Sequence, residues 1–296
     1  MTLAAASLAA PAAQAEIKSK AKGYAPRLAC ACYVFEQDYD KRKQKTIDHV
    51  DEIFATFEGA GYRAVELMSG YFPEGGSQRT LELLDKHNLI MPICYIGGPM
   101  HDDRAQATID AGLALAARLK PHQHLEAISF NCDPKPAHGA KSDAELDVEA
   151  QALERLGAAL AAQNLRLLVH QHAPEMADHS REWRYFVGHT TAKNVGLCLD
   201  THWVYRGGDD VMTILREAGP RLGDVHLRNS RGGIWLEELA DGDIDYHAVA
   251  AELKKLKYRG WLSVELAWDL TTDLTRSLEQ DLRLSRQYAE RVFGVK

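Results

Sequence analysis

Three absences narrow the class of this chain before any motif is considered. No stretch is densely basic: 35 lysines and arginines face 42 aspartates and glutamates, for a net charge of −7 with the histidines neutral. Nucleic acid is therefore not an expected partner, and the acidic balance also disfavours a substrate carrying several phosphates. Cysteine is scarce and odd in number, with Cys30, Cys32, Cys94, Cys132 and Cys198 mostly inside apolar runs. These read as buried thiols, not as a disulfide frame or a thiolate metal site. Beyond residue 20 no run of 18 or more apolar residues occurs, so no membrane span is expected.

The first residues, "MTLAAASLAAPAAQAEIKSK", lack the usual basic leader, yet they are alanine-rich and end in "AQA", a small-x-small cleavage pattern after Ala15. Residues 1–20 are read as a signal peptide, which places the protein in the periplasm or outside the cell. The alternative is a cytoplasmic protein with a disordered tail. Residues 21–296 are read as one domain, because no linker or shift in composition divides them.

Within that domain, short apolar runs alternate with amphipathic stretches. The expected strands are "RLACACYVF" (27–35), "AVELM" (64–68), "LIMPICYIG" (89–97), "LEAISFN" (125–131), "LRLLVHQ" (165–171), "VGLCLDT" (195–201), "GDVHLRN" (223–229) and "WLSVELAW" (261–268). Segments such as "TIDHVDEIFATFEGAG" and "DAELDVEAQALERLGAALAAQN" between them read as helices, the second opening on Ser142 as N-cap. Strict alternation of strand and helix, eight times over, predicts parallel strands closed into a TIM (β/α)8 barrel of the α/β class.

In such barrels chemistry sits at the C-terminal strand ends. Standing there are Glu66, His101, Asn131, Asp133, His170, His172, Asp200, His202, His226, Arg228 and Glu265. In "LVHQHAPEM" (168–176), His170 and His172 are two apart and therefore share a strand face. His, Asp, His and Glu from neighbouring strands make a nitrogen–oxygen donor set for a divalent metal ion, with Mn²⁺, Zn²⁺, Mg²⁺ and Fe²⁺ not distinguished. Such an ion could hold two vicinal oxygens of a sugar and polarise a carbonyl, with a carboxylate or imidazole nearby as base. In "LADGDIDYHAV" (239–249) the "DGD" reads as a turn, with Asp245 capping the next helix.

At these residues the sequence resembles the xylose-isomerase-like barrel superfamily of sugar isomerases and epimerases, inosose dehydratases and apurinic endonucleases. The stretches that carry it are "GYRAVELM", "LLVHQHAPEM", "VGLCLDTHWVYRGG", "VHLRNSRGGIWLEELADGDIDYHAV" and "WLSVELAWD". In the epimerase branch Glu, Asp, His and Glu from strands five to eight bind the metal. By resemblance Asp200, His226 and Glu265 take the last three places, and His170 stands where the first glutamate would be. That departure makes two-base epimerisation doubtful and favours enolisation from one side. The histidine of "DTHW" also comes two residues after the aspartate instead of three, so His202 is expected to turn away from the metal.

The "DTHWVYRGG" stretch is most like the branch acting on 3-keto-glycosides. The resemblance thus implies a metal-dependent lyase, hydratase or isomerase of keto sugars, with a small-molecule carbohydrate as its partner. His170, Asp200, His226 and Glu265 would bind the metal, and His172 or Glu265 would act as base. Glu66, His101, His202, Arg228 and Trp203 would contact substrate, with Trp235 and Trp268 as further candidates for stacking on sugar faces. A homo-oligomer is compatible with the sequence. Two rival readings are an apurinic-endonuclease-like phosphodiesterase, disfavoured by the charge balance, and a non-catalytic sugar-binding barrel or subunit.

Overall fold

The computed structural model describes residues 23–136, 139–269 and 272–295. The expected N-terminal segment, residues 1–20, lies outside them. Eight parallel strands close a barrel: β1 (Arg27–Ala31), β2 (Ala64–Met68), β3 (Ile90–Gly98), β4 (Ala127–Cys132), β5 (Arg166–His170), β6 (Val195–Asp200), β7 (Leu222–Leu227) and β10 (Trp261–Val264). Round the ring the order is β1, β10, β7, β6, β5, β4, β3, β2. A two-stranded ribbon, β8 (Ser230–Arg231) with β9 (Ile234–Trp235), rises from the end of β7. No helix among the described residues is long and apolar enough to cross a membrane.

The helices are α1 (Tyr33–Lys41), α2 (Val50–Ala60), α3 (Ser77–Lys86), α4 (Ala105–Leu119), α5 (Asp143–Ala161), α6 (Ala177–His189), α7 (Thr201–Gly207), α8 (Val211–Ala218), α9 (Tyr246–Lys255) and α10 (Leu278–Phe293). Ser142 caps α5 in a reciprocal capping box with Glu145, and Asp245 caps α9 by accepting from the Ala248 N–H. α6 is irregular at its start: Asp178, His179 and Ser180 have φ of 51°, 57° and 57°, so its right-handed part begins after them.

Two expected strands ran four residues too far. The run 27–35 is a strand only to Ala31, and its "YVF" opens α1 with Val34 and Phe35 in the core. The run 261–268 stops as a strand at Val264. Apolar residues continue past both strand ends because the next few positions are buried too, and periodicity alone cannot tell a buried strand from a buried helix start. All five cysteines are buried and unpaired.

Most of the core fills the space between strands and helices. Inside the barrel a smaller plug, including Ala29, Ala64, Ile93, Ala127, Leu168, Cys198 and Trp261, closes the lower end. Leu168 reaches there only because its neighbours are small: a Cβ at Gly196 or Gly223 would lie 2.8 or 2.4 Å from its Cδ2. Outside, Gly157 of α5 lies against the loop before β6, where an added Cβ would sit 2.2 Å from the Asn194 carbonyl oxygen. Gly157→Ala should therefore destabilise by about 2 kcal/mol or more, although alanine gains about 1 kcal/mol of helix propensity. A urea midpoint equal to wild type would show that the loop yields.

Candidate active site

Inward-facing residues recur every second position, so each strand can be followed upward from the plug. β5 runs Leu168, His170, and then His172 just past its end. β6 runs Gly196, Cys198, Asp200; β7 runs Asp224, His226, and then Arg228; β10 runs Trp261, Ser263, and then Glu265. β2 adds Glu66 above Ala64, and β3 adds Tyr95 above Ile93. The same alternation that fills the bottom with apolar side chains brings ionisable ones to the top. Register aligns them in height: Asp200 pairs with His226, His226 with Ser263, and Asn131 with His170.

His170, Asp200, His226 and Glu265 each offer one atom, all within 4.8 Å of one another. Three of these groups hold a buried atom with no hydrogen-bond partner: His170 Nε2, His226 Nδ1 and Glu265 Oε2. His226 Nδ1 lies 3.4 Å from Glu265 Oε2, and His170 Nε2 lies 3.7 Å from Asp200 Oδ2. Buried polar atoms are costly when unpaired, so their convergence fits a cation held among them. Asp200 divides its work: Oδ1 accepts from the His202 and Trp203 N–H groups at the start of α7, leaving Oδ2 toward the site. The outer nitrogen of His226, Nε2, bonds Glu66 at 2.9 Å and lies 3.3 Å from Asp224, which fixes Nδ1 as the free nitrogen. Cys198 is also within reach of His170 and His226, but burial pushes its thiol far above the usual range and keeps it protonated.

Arg228 completes the charge balance. Its guanidinium lies 2.5 Å from Asp200 Oδ2 and 3.0 Å from Glu265 Oε2, and stacks 4.9 and 5.0 Å from the rings of Trp203 and Trp235. Burial would raise the Asp200 carboxyl, but Arg228 and His170 hold it far below its ordinary range; Glu265 is likewise lowered by Arg228 and His226 against its burial. Burial raises Glu66 to about 7, with His226 opposing. Burial disfavours the charged form of His226, yet the carboxylates of Glu66 and Glu265 outweigh it and raise this group. His172 is pushed down to about 3 by burial and by His170, so it stands neutral. Its ring nitrogens have no hydrogen-bond partner among the described residues.

Above the donor set is an inner chamber of about 240 Å³, lined among others by Tyr33, Glu66, Tyr95, His172, Arg228 and Glu265. Trp203 closes one wall, whereas neither Trp235 nor Trp268 lines it. Two residues expected to contact substrate, His202 and His101, do not line this chamber. His202 accepts from the Trp235 indole N–H and bonds Ser230 at 2.9 Å, so it braces the ribbon and turns away from the chamber. His101 lies buried outside the chamber beside Asp102, in the field of Lys141.

Sequence reading missed Tyr33, Tyr95 and Asp224, although Asp224 was available as the inward position two before His226. It also missed a second buried cluster, in which Lys141 bonds Glu149 and Glu182, each at 2.6 Å, with Glu175 nearby. Glu175 accepts from the His172 N–H at 2.8 Å, and burial and then Glu182 raise its carboxyl from 4.5 to about 7. A raised folded value means that its stabilising share is complete below about pH 4.5 and is lost as pH climbs through 7. Glu175→Gln should flatten this part of the profile, by about 2 kcal/mol or on the order of 5 °C in Tm between pH 5 and 7.5. Parallel melting curves for the two proteins would refute it.

The sequence profile of a family described as xylose isomerase-like TIM barrel matches residues 54–288. An inosose dehydratase of Bacillus velezensis is 29% identical over 146 residues, which cover 43% of this chain and 49% of that protein. The chain thus spans about half the length of the inosose dehydratases it matches. The rhizopine catabolism protein MocC of Rhizobium meliloti is 28% identical over 248 residues, covering 74% of this chain and 75% of that one. Among solved structures, a D-allulose 3-epimerase from Methylomonas sp. superposes with a TM-score of 0.71 at 17% identity, covering 91% of this chain and 99% of its own. At that identity the likeness is one of fold.

Proposed function

The chain belongs to the xylose isomerase-like TIM barrel family, and from that premise we propose that it is a metal-dependent enzyme that enolises a keto sugar or 3-keto-glycoside. One observation supports this most: buried nitrogens of His170 and His226 that make no hydrogen bond converge with Asp200 and Glu265, and Glu265 lines a chamber the size of one sugar ring. A divalent ion held by these four residues would polarise a ketone and its neighbouring hydroxyl, making the adjacent C–H more acidic.

The residues of the chain do the rest. His172 takes the proton from the carbon beside the ketone, its neutral ring facing the chamber from the end of β5. Its proton affinity is low in the free site, but a developing enolate beside it favours the imidazolium. The enolate oxygen then re-forms the ketone, and the electron pair left on carbon becomes a double bond to the next carbon, whose substituent departs. The departing oxygen takes its bonding pair and the proton that His172 carries. Arg228 and Glu66 orient the sugar hydroxyls, and Trp203 lies along its face. Loss of water from an inosose, the reaction in the names of the curated relatives, is the same sequence with hydroxide as the departing group.

The test is metal analysis of the purified protein, followed by incubation with 3-keto-glucosides, free ketoses and an inosose. A bound divalent ion near one per chain, with 2-hydroxyglycal, aldose or dehydrated product lost on chelation, is the expected result. Glycoside binding that chelation leaves unchanged, with no turnover of any of these, would instead favour a binding barrel.

A further inference from the structure

A second chamber of about 670 Å³ opens beside the inner one, and His172 and Trp203 line both. Its walls are largely apolar: Pro134, Ala173, Pro174, Ala177 and Trp203 contribute to them. The charged side chains around it are committed elsewhere, Lys135 to Glu145, Lys141 to Glu149 and Glu182, and Arg181 to Asp143. Asp178 is exposed to solvent, and Glu175 is the buried carboxyl left over. It is 2% exposed, lines this chamber, and carries a buried oxygen, Oε1, with no hydrogen-bond partner.

We propose that the outer chamber receives the substituent carried by the reacting sugar, an aromatic group with one polar edge, so that the substrate is an aryl glycoside and not a free monosaccharide. The assignment of the sugar to the inner chamber rests on the keto-sugar reading above. The inner chamber is smaller than the 300–1,000 Å³ typical of sites for drug-sized ligands, whereas the outer one falls well inside that range. A second sugar would bring several hydroxyls against proline and alanine, leaving most of them unpaired at a cost. An aryl ring needs only apolar wall and the Trp203 face, and a single hydroxyl on it finds Glu175 Oε1.

Binding is read without turnover, by calorimetry on the full chain with methyl, phenyl and 4-hydroxyphenyl β-D-glucopyranosides. The phenyl glucoside should bind about tenfold more tightly than the methyl glucoside, and the 4-hydroxyphenyl compound more tightly again. Ala177→Trp fills the chamber from its rim and should bring the phenyl-to-methyl ratio near one while the methyl affinity holds. Ala173→Leu, from another wall, should do the same if the first variant folds poorly. Equal affinity for methyl and phenyl glucosides in wild type overturns the proposal, as does a phenyl preference that survives both substitutions. If the expected binding pattern is found but no 3-keto derivative is turned over, the aryl chamber stands and the enolisation reading falls.

Discussion

Glu265→Gln should abolish turnover, lowering kcat/KM at least a thousandfold, and should reduce the bound metal to a small fraction of one per chain. The carboxylate does two things that an amide of the same shape cannot. It offers an anionic oxygen to the cation site, and it balances the Arg228 guanidinium 3.0 Å away. The amide keeps the volume of the side chain beyond the end of β10, so the barrel should remain folded and the loss should be specific to chemistry. Unchanged far-ultraviolet dichroism beside lost metal and lost turnover is the expected set. Activity within tenfold of wild type would remove Glu265 from both roles.

Arg228→Met should show the next largest effect, on stability and in the opposite sense to metal. Without an ion, the guanidinium is the cation closest to Oδ2 of the buried Asp200 and to the buried Oε2 atom of the partly exposed Glu265. Removing one partner of a buried charge set costs about 3–5 kcal/mol, on the order of 10 °C in Tm for a domain of this size. The deficit should be largest in EDTA and should shrink when Mn²⁺ or Zn²⁺ is added, because a doubly charged ion supplies what the arginine no longer does. Wild type should gain less from the same addition. A variant that melts with wild type in EDTA would mean that Asp200 and Glu265 do not depend on Arg228.

These two residues show what the sequence made legible. The barrel followed from the alternation of apolar runs and amphipathic stretches, and inward positions followed from a period of two. His170, Asp200, His226 and Glu265 could thus be named at strand ends before any coordinates, and the structure places them within one small space. Where the chain leaves a strand, that logic stops. His202 follows Asp200 by two residues, but α7 has already begun there, and the helical turn sends its ring toward Ser230 and Trp235. His101 lies past the end of β3, where nothing in the pattern tells chamber from side wall. Lys141, Glu149 and Glu182 come from a loop and two helices, so no periodicity marks them as neighbours. Glu175 was visible in "HQHAPEM", but its link to the His172 N–H is a turn contact that spacing does not announce.

The hydrogen bond from His226 to Glu66 joins β7 to β2, three places apart in the ring and 160 residues apart along the chain. No fragment made of consecutive strands from the start of the barrel can contain it until the seventh strand has arrived. During synthesis, then, the donor geometry cannot mature piecemeal. It is completed only when the late part of the polypeptide docks against the early part, so whatever this site binds reports the closure of the whole cylinder.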